Sequence, residues 1–86
     1  MLASTQAHIR SLALAAPGEL VKVEIILFDA LRARCAELGI AAGDTLHCRS
    51  INQSLMTFET ARGRTVALEQ EWARFIQIGL VNSVSA

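Results

Sequence analysis

The side chains in this sequence that are best suited to bind a metal ion are those of His47, Cys48 and Cys35. His47 and Cys48 are neighbours, and imidazole and thiolate are ligands that suit iron, zinc and copper. Adjacent residues of a β-strand point to opposite faces of the sheet, so this spacing argues against one shared ion. We therefore interpret both cysteines as buried thiols that act as small hydrophobic residues, with direct metal binding as the weaker alternative. No metal ligand or cofactor is assigned.

The acidic residues and nucleophiles give no catalytic arrangement. Glu69 and Glu71 stand at the start of a short helical turn, where carboxylates complement the partial positive charge of the first N–H groups. The chain has no tyrosine, no phosphate-binding glycine loop, and no serine or cysteine nucleophile beside a base. We therefore expect a protein that is not an enzyme.

Charge and hydropathy argue against two further classes of function. Eight basic and eight acidic residues cancel in a chain of 86 residues, so no positive surface for nucleic acid is indicated. The hydrophobic fraction is 52%, yet no apolar run reaches the roughly 20 residues that cross a bilayer. We therefore expect one small domain without membrane insertion. Two cysteines are few for a secreted disulfide scaffold, so we expect the domain to be cytoplasmic. Its surplus apolar residues serve the core or a partner.

One amphipathic helix is predicted in the first half of the chain. Leu31, Cys35 and Leu38 recur at helical spacing and form one apolar stripe. Asp29 is the predicted N-cap, because its carboxylate can accept from free N–H groups of the first turn. Gly39 suits the left-handed residue that ends a helix.

Five short strands surround this helix in the predicted architecture. Apolar alternation predicts strands over residues 19–27, 45–51, 55–61, 65–68 and 74–79. In the first strand, Val21, Val23, Ile25 and Leu27 are expected on the buried face. The inward pairs of the later strands are Leu46 with Cys48, Met56 with Phe58, and Ile76 with Ile78. Short strands joined by tight turns predict a mainly β, barrel-like fold.

Three stretches of the chain resemble the FeoA-like family of small bacterial proteins. The most specific is Leu31-Arg-x-Arg-x-x-Glu-Leu-Gly-Ile-x-x-Gly43, across the helix and the following turn. The others are Ala16-Pro-Gly-Glu19, and Arg62-Gly-x-x-Val-Ala-Leu68 followed by Ala73-x-x-Ile-x-Ile78. The resemblance covers about residues 13–79, which leaves residues 1–12 and 80–86 as predicted tails.

The resemblance implies both a fold and a function. The fold is a small SH3-like β-barrel of about five strands with one inserted α-helix, shared with the C-terminal domain of iron-dependent repressors. The function is that of a non-enzymatic cytosolic accessory protein of ferrous iron transport. Its implied partner is the cytosolic GTPase-bearing part of a membrane iron transporter. The alternative is a self-associating regulatory module like the repressor domain, acting through an exposed sheet edge and an apolar tail.

The candidate partner-binding residues are Trp72, Leu80, Val81, Arg32 and Arg34. The favoured interpretation of Trp72 is a cap on one barrel end, with Leu80 and Val81 folded back over it. The alternative is an exposed aromatic anchor for another protein. Arg32 and Arg34 are interpreted first as a solvated helix face, and second as contacts for an acidic partner surface.

Overall fold

The computed structural model describes residues 10–81, which form six strands, two α-helices and one short 3₁₀ helix. The strands are β1 (Arg10–Ser11), β2 (Leu20–Ile26), β3 (Thr45–Asn52), β4 (Leu55–Thr60), β5 (Thr65–Glu69) and β6 (Ile76–Leu80). The helices are α1 (Asp29–Leu38) and α2 (Gln70–Ala73), and the 3₁₀ helix is Leu12–Leu14. The strands form one antiparallel sheet in the order β1-β6-β2-β3-β4-β5. The mainly β prediction is confirmed.

The sheet begins earlier in the chain than predicted. Arg10 and Ser11 pair with β6, and Leu12 is fully buried. The boundary predicted for the N-terminal tail, residues 1–12, is therefore too late by three residues. A strand of two residues is too short to show alternation, so the sequence pattern could not reveal it. The rest of this tail, residues 1–9, lies outside the described residues.

A β-bulge breaks the predicted alternation of β2. Val21 and Val23 are buried as predicted, but the register against β6 shifts between Val23 and Ile25. The extra residue reverses which face the following side chains occupy. Ile26 is buried, whereas Ile25 and Leu27 are 49% and 45% exposed. The prediction that Ile25 and Leu27 point inward was therefore wrong.

Helix α1 contributes its predicted stripe to the core, with a different N-terminus. Leu31 and Cys35 are buried, and Gly39 ends the helix with φ 86°. Asp29 is the first helical residue rather than the N-cap, and Phe28 occupies the cap without a side-chain hydrogen bond. The predicted Asp29 cap is wrong because the helix begins one residue earlier, with the Arg32 N–H donating to the Phe28 carbonyl; the Asp29 carboxylate pairs with Arg32 along the helix.

The core is formed by apolar side chains from the 3₁₀ helix, both α-helices and strands β2 to β6. Among residues 10–81 no polar or charged residue is buried. The inward pairs predicted for β3, β4 and β6 are all found in the core. Its largest fully buried members are Phe58, Leu12, Leu31, Ile40, Leu46, Met56, Ile76 and Ile78.

Candidate functional site

Clefts run along both sides of α1, because the helix lies between β2 and the β5–α2 segment. The larger, about 520 Å³, separates α1 from β2. We call it the helix–strand groove; its walls include Glu24, Ile25 and Ile26 of β2 and Arg32, Ala33 and Ala36 of α1. Two smaller clefts, about 270 and 250 Å³, lie on the other side of the helix. Both are lined by Arg34 and Trp72.

The tryptophan surface is defined here as Trp72 and Arg34 with the residues that line their two clefts. Ala30 and Leu31 line one cleft, and Leu55, Ala67, Leu68 and Glu69 line the other. Trp72 itself is 44% exposed. A large aromatic ring therefore stands between two depressions, one mostly apolar and one more polar, within reach of a partner.

The short helix α2 fixes the position of Trp72. Ala73 is fully buried, and the Gln70 backbone N–H donates to the Ser54 carbonyl at 2.7 Å. The Gln70 side-chain amide donates to the Ala13 carbonyl at 3.1 Å. These contacts on both sides of α2 hold the helix in place, so the exposed indole of Trp72 projects from a fixed position.

The backbone at Leu80 runs away from Trp72, contrary to the predicted fold-back of Leu80 and Val81. Leu80 continues β6, where its Cα partner is Val21 of β2. A strand rises about 3.3 Å per residue, so Leu80 lies at the far end of β6 from α2. Val81 is half-buried immediately after it, and residues 82–86 lie outside the described residues. The structure brings Trp72 and Arg34 together and leaves Leu80 and Val81 elsewhere.

Arg32 and Arg34 have different environments, although they stand two positions apart. Arg34 is exposed and approaches Glu37 at 3.7 Å, as expected for a solvated helix face. Arg32 donates from its guanidinium to the backbone carbonyl of Ile26 at 2.7 Å and also pairs with Asp29. The Arg32 side chain is still 53% exposed, so it lies on the solvated face as expected, and in addition it links α1 to β2 through Ile26.

The hydrogen bond from Arg32 to Ile26 forms along the part of β2 that is not paired with β3. The Cα pairing of β2 with β3 ends at Lys22, and the last hydrogen bonds across that edge are made by Val23. Beyond this point the edge of β2 borders the helix–strand groove. Arg32 supplies the hydrogen bond to Ile26 that a neighbouring strand would otherwise supply.

An exposed apolar segment beside the groove was missed by the sequence analysis. Ile25, Leu27 and Phe28 are each 45–49% exposed. The Phe28 ring packs edge-to-face on Phe75, with ring centroids 5.0 Å apart. The available signal was the run of four large apolar residues at 25–28, because a strand cannot bury both of its faces against one core.

The cysteines are enclosed by the core, on the side of β3 away from His47. Cys35 and Cys48 are both fully buried, free thiols. Desolvation raises the pKa of each above the ordinary value of 9.0, and the charge of Arg34 opposes this rise at Cys35. Residues 10–81 contain no group of three or more metal-ligating side chains. Buried, protonated thiols are poor nucleophiles and poor ligands.

No helix within the described part of the chain is long and apolar enough to cross a membrane.

Replacing Arg32 with methionine should lower the free energy of unfolding by about 1 kcal/mol, because the Ile26 carbonyl loses its charged donor in a partly buried place. Arg34→Met is the matched control, since its ion pair is exposed and should contribute little. Urea denaturation of the two variants measures the difference. Equal midpoints would show that the contact with Ile26 does not stabilise the fold.

Alkaline pH should destabilise the protein through its thiols. A raised pKa in the folded state means that the unfolded chain loses protons first, so stability is intact below pH 9 and falls as pH rises above it. The slope reaches at most about 1.4 kcal/mol per pH unit for each thiol. Denaturation midpoints between pH 7 and 10.5 should fall less steeply for Cys35→Ala/Cys48→Ala than for the parent. Parallel curves above pH 9 would contradict the assignment.

Comparison with known proteins gives a consistent fold. No protein-family model matches the chain, and no curated protein matches it by sequence. A FeoA-like protein from Clostridium acetobutylicum superposes with TM-score 0.77 at 17% identity, covering 92% of this chain and 94% of that one. FeoA from Chlorobium tepidum gives TM-score 0.76 at 16% identity, over 88% and 74% of the respective chains. A manganese-dependent transcriptional repressor gives 0.75 at 22% identity, over 85% of this chain and 37% of the repressor. The predicted resemblance is confirmed in structure: this chain has the SH3-like fold found in FeoA proteins and in part of metal-dependent repressors.

Proposed function

We propose that this protein is a non-enzymatic, cytosolic accessory protein of ferrous iron transport that docks onto the cytosolic GTPase-bearing part of a membrane iron transporter. One observation carries the proposal. The superposition covers 92% of this chain and 94% of the Clostridium acetobutylicum FeoA-like protein. The correspondence therefore extends over almost the whole of a FeoA-like protein rather than over one domain of a larger one. A further match is an iron uptake regulatory protein, FeoA, with TM-score 0.74 over 81% of this chain.

The geometry supports docking in preference to chemistry. The two thiols are enclosed in the core, whereas Trp72 stands exposed between two clefts. Tryptophan and arginine are among the residues most enriched at binding hot spots, because they combine a large contact area with polar groups. The tryptophan surface contains both residue types, Trp72 and Arg34, and the helix that carries Trp72 is held in place.

The charges around Trp72 indicate the kind of contact that a partner makes. Arg34 and Glu37 approach only to 3.7 Å, and both side chains are exposed, so their pairing contributes little and is readily exchanged. Arg34 is thus available to a carboxylate of the partner. Because the whole chain has a formal net charge of zero, long-range attraction is weak and the apolar contact of Trp72 supplies most of the affinity.

A regulatory module is the second candidate function. Its support is the likeness to manganese-dependent repressors, of which this chain matches 42% and 37% of the length in two structures. A module of that kind acts through association with other domains or with copies of itself. The docking experiment below separates the two candidates.

Calorimetric titration into the purified cytosolic part of the iron transporter from the same genome tests the docking proposal. We expect saturable binding, measured with and without guanine nucleotide to identify the state that is recognised. Trp72→Ala should weaken it about tenfold or more, as truncation of a hot-spot aromatic does. Thermal denaturation of the variant should show that the fold is retained, since the ring is nearly half exposed.

Leu20→Ala is the matched control for this titration. Leu20 is 49% exposed, close to the value for Trp72, but it lies on β2 opposite His47 of β3. Its removal should leave the affinity unchanged. Absence of binding in every nucleotide state, at concentrations on the order of hundreds of micromolar, would overturn the docking proposal and favour the regulatory module.

A further inference from the structure

We propose that residues 10–15, which we call the N-terminal strap, hold α2 in place and thereby set how tightly the tryptophan surface binds its partner. Leu12 and Gln70 are the positioning residues of this arrangement. The effect of the strap on affinity rests on the proposed docking, whereas its effect on the mobility of Trp72 does not.

The helix that carries Trp72 is too short to keep its conformation alone. It has four residues, Gln70–Ala73, which make about one turn. A single turn fixes several backbone dihedral angles in return for very few hydrogen bonds, so it is unfavourable without contacts from outside. The position of Trp72 therefore depends on the elements that touch α2.

The strap supplies two of the hydrogen bonds that join α2 to the rest of the fold. The Gln70 side-chain amide donates to the Ala13 carbonyl at 3.1 Å, and the Ser11 hydroxyl donates to the Ala73 carbonyl at 3.3 Å. A further bond runs from the Gln70 backbone N–H to the Ser54 carbonyl, in the turn between β3 and β4. Without the strap, α2 would lose its hydrogen bonds on one side and keep the bond to Ser54 on the other.

Leu12 is the main anchor of the strap. Its side chain is fully buried, whereas Leu14 is 66% exposed. Ala15 is buried as well, but its methyl group offers a much smaller contact. Backbone pairing adds little, because β1 has only two residues and pairs with β6 alone. Docking of the strap therefore depends chiefly on the burial of Leu12.

The strap can be released while the rest of the sheet stays intact. Strand β1 is outermost in the sheet, so its loss leaves the order β6-β2-β3-β4-β5 continuous. Arg10 donates to the Leu14 carbonyl at 3.2 Å and pairs with Glu19, which bonds the strap to itself and to the turn that follows. Edge elements with few long-range contacts open at a lower free energy than the whole fold. An equilibrium between docked and released strap therefore exists within the folded protein.

This equilibrium enters the affinity of the tryptophan surface. A partner that requires Trp72 in its fixed position binds only those molecules in which the strap is docked. The apparent dissociation constant is then the intrinsic value divided by the docked fraction. No residue of the strap lines the two clefts beside Trp72. A change in the strap can therefore weaken binding without altering the contact surface.

The fluorescence of Trp72 tests the positioning directly. Trp72 is the one tryptophan, and the chain has no tyrosine, so the emission reports on α2. In Leu12→Ala we expect the amplitude of sub-nanosecond indole motion, measured by time-resolved anisotropy, to rise about twofold or more. Circular dichroism should show that the sheet is retained at the temperature used.

Leu46→Ala is the matched control for this measurement. Leu46 is a buried leucine like Leu12, and it pairs with Thr60, at the opposite end of β4 from Leu55 and α2. Its truncation should lower the unfolding midpoint to a similar extent, since each change leaves a cavity in the core. The anisotropy decay of Trp72 should nevertheless match that of the parent protein.

Gln70→Ala tests the same coupling without disturbing the core. It removes the donor to Ala13 and should also increase the motion of the indole. Glu71→Ala changes an exposed neighbour on the same helix and should not. An unchanged decay in both Leu12→Ala and Gln70→Ala, or equal changes in their controls, would overturn the proposal.

Titration into the cytosolic part of the iron transporter links the strap to affinity. We expect the dissociation constant to rise about tenfold for Leu12→Ala and to stay at the parent value for Leu46→Ala. An equal loss in both would show that general destabilisation weakens binding, and would overturn the proposed control by the strap. If the parent protein itself does not bind, the docking proposal fails, and the fluorescence of the four variants still decides whether the strap positions Trp72.

Discussion

One extra residue in β2 determines where the apolar residues after Val23 come to lie. The register of β2 against β6 shifts between Val23 and Ile25, and this shift carries Ile26 into the core while Ile25 turns outward. It also leaves the Ile26 carbonyl beside α1, where Arg32 donates to it. Without the bulge the strand would bury Ile25 and expose Ile26. The Arg32 guanidinium would then have no carbonyl of β2 to donate to at this point. The course of the chain into α1, and with it both surfaces beside the helix, depends on this local geometry.

The helix and the sheet stabilise each other through unequal contributions. Leu31 and Cys35 complete the core from the gap between β2 and β5, and burial of such side chains supplies the main favourable free energy. The contact of Arg32 with Ile26 contributes far less, but it satisfies a backbone group that would otherwise remain without a protein partner. Since the described residues bury no polar or charged side chain, the orientation of α1 rests on shape, on the backbone ladder and on this one guanidinium.

The sequence predicted the elements whose patterns are local and not those that depend on tertiary contacts. Alternation placed the core residues of β3, β4 and β6 correctly, and the glycine after Leu38 marked the end of α1. The bulge gave no signal, because Ile25 and Ile26 are both apolar and either could be buried. From the sequence, Arg32 and Arg34 have similar places on the outer face of α1. Arg32 alone bonds to the backbone of β2, because the edge of that strand lies beside the first turn of the helix. The sequence pattern ended the last strand at Gly79, whereas Leu80 continues β6 and carries the chain away from Trp72.

The two surfaces beside α1 are compatible with each other. The helix–strand groove uses Arg32, Ala33 and Ala36, whereas the tryptophan surface uses Ala30, Leu31 and Arg34, so no residue serves both. A partner docked on Trp72 therefore leaves the helix–strand groove open, because the body of α1 separates the two surfaces.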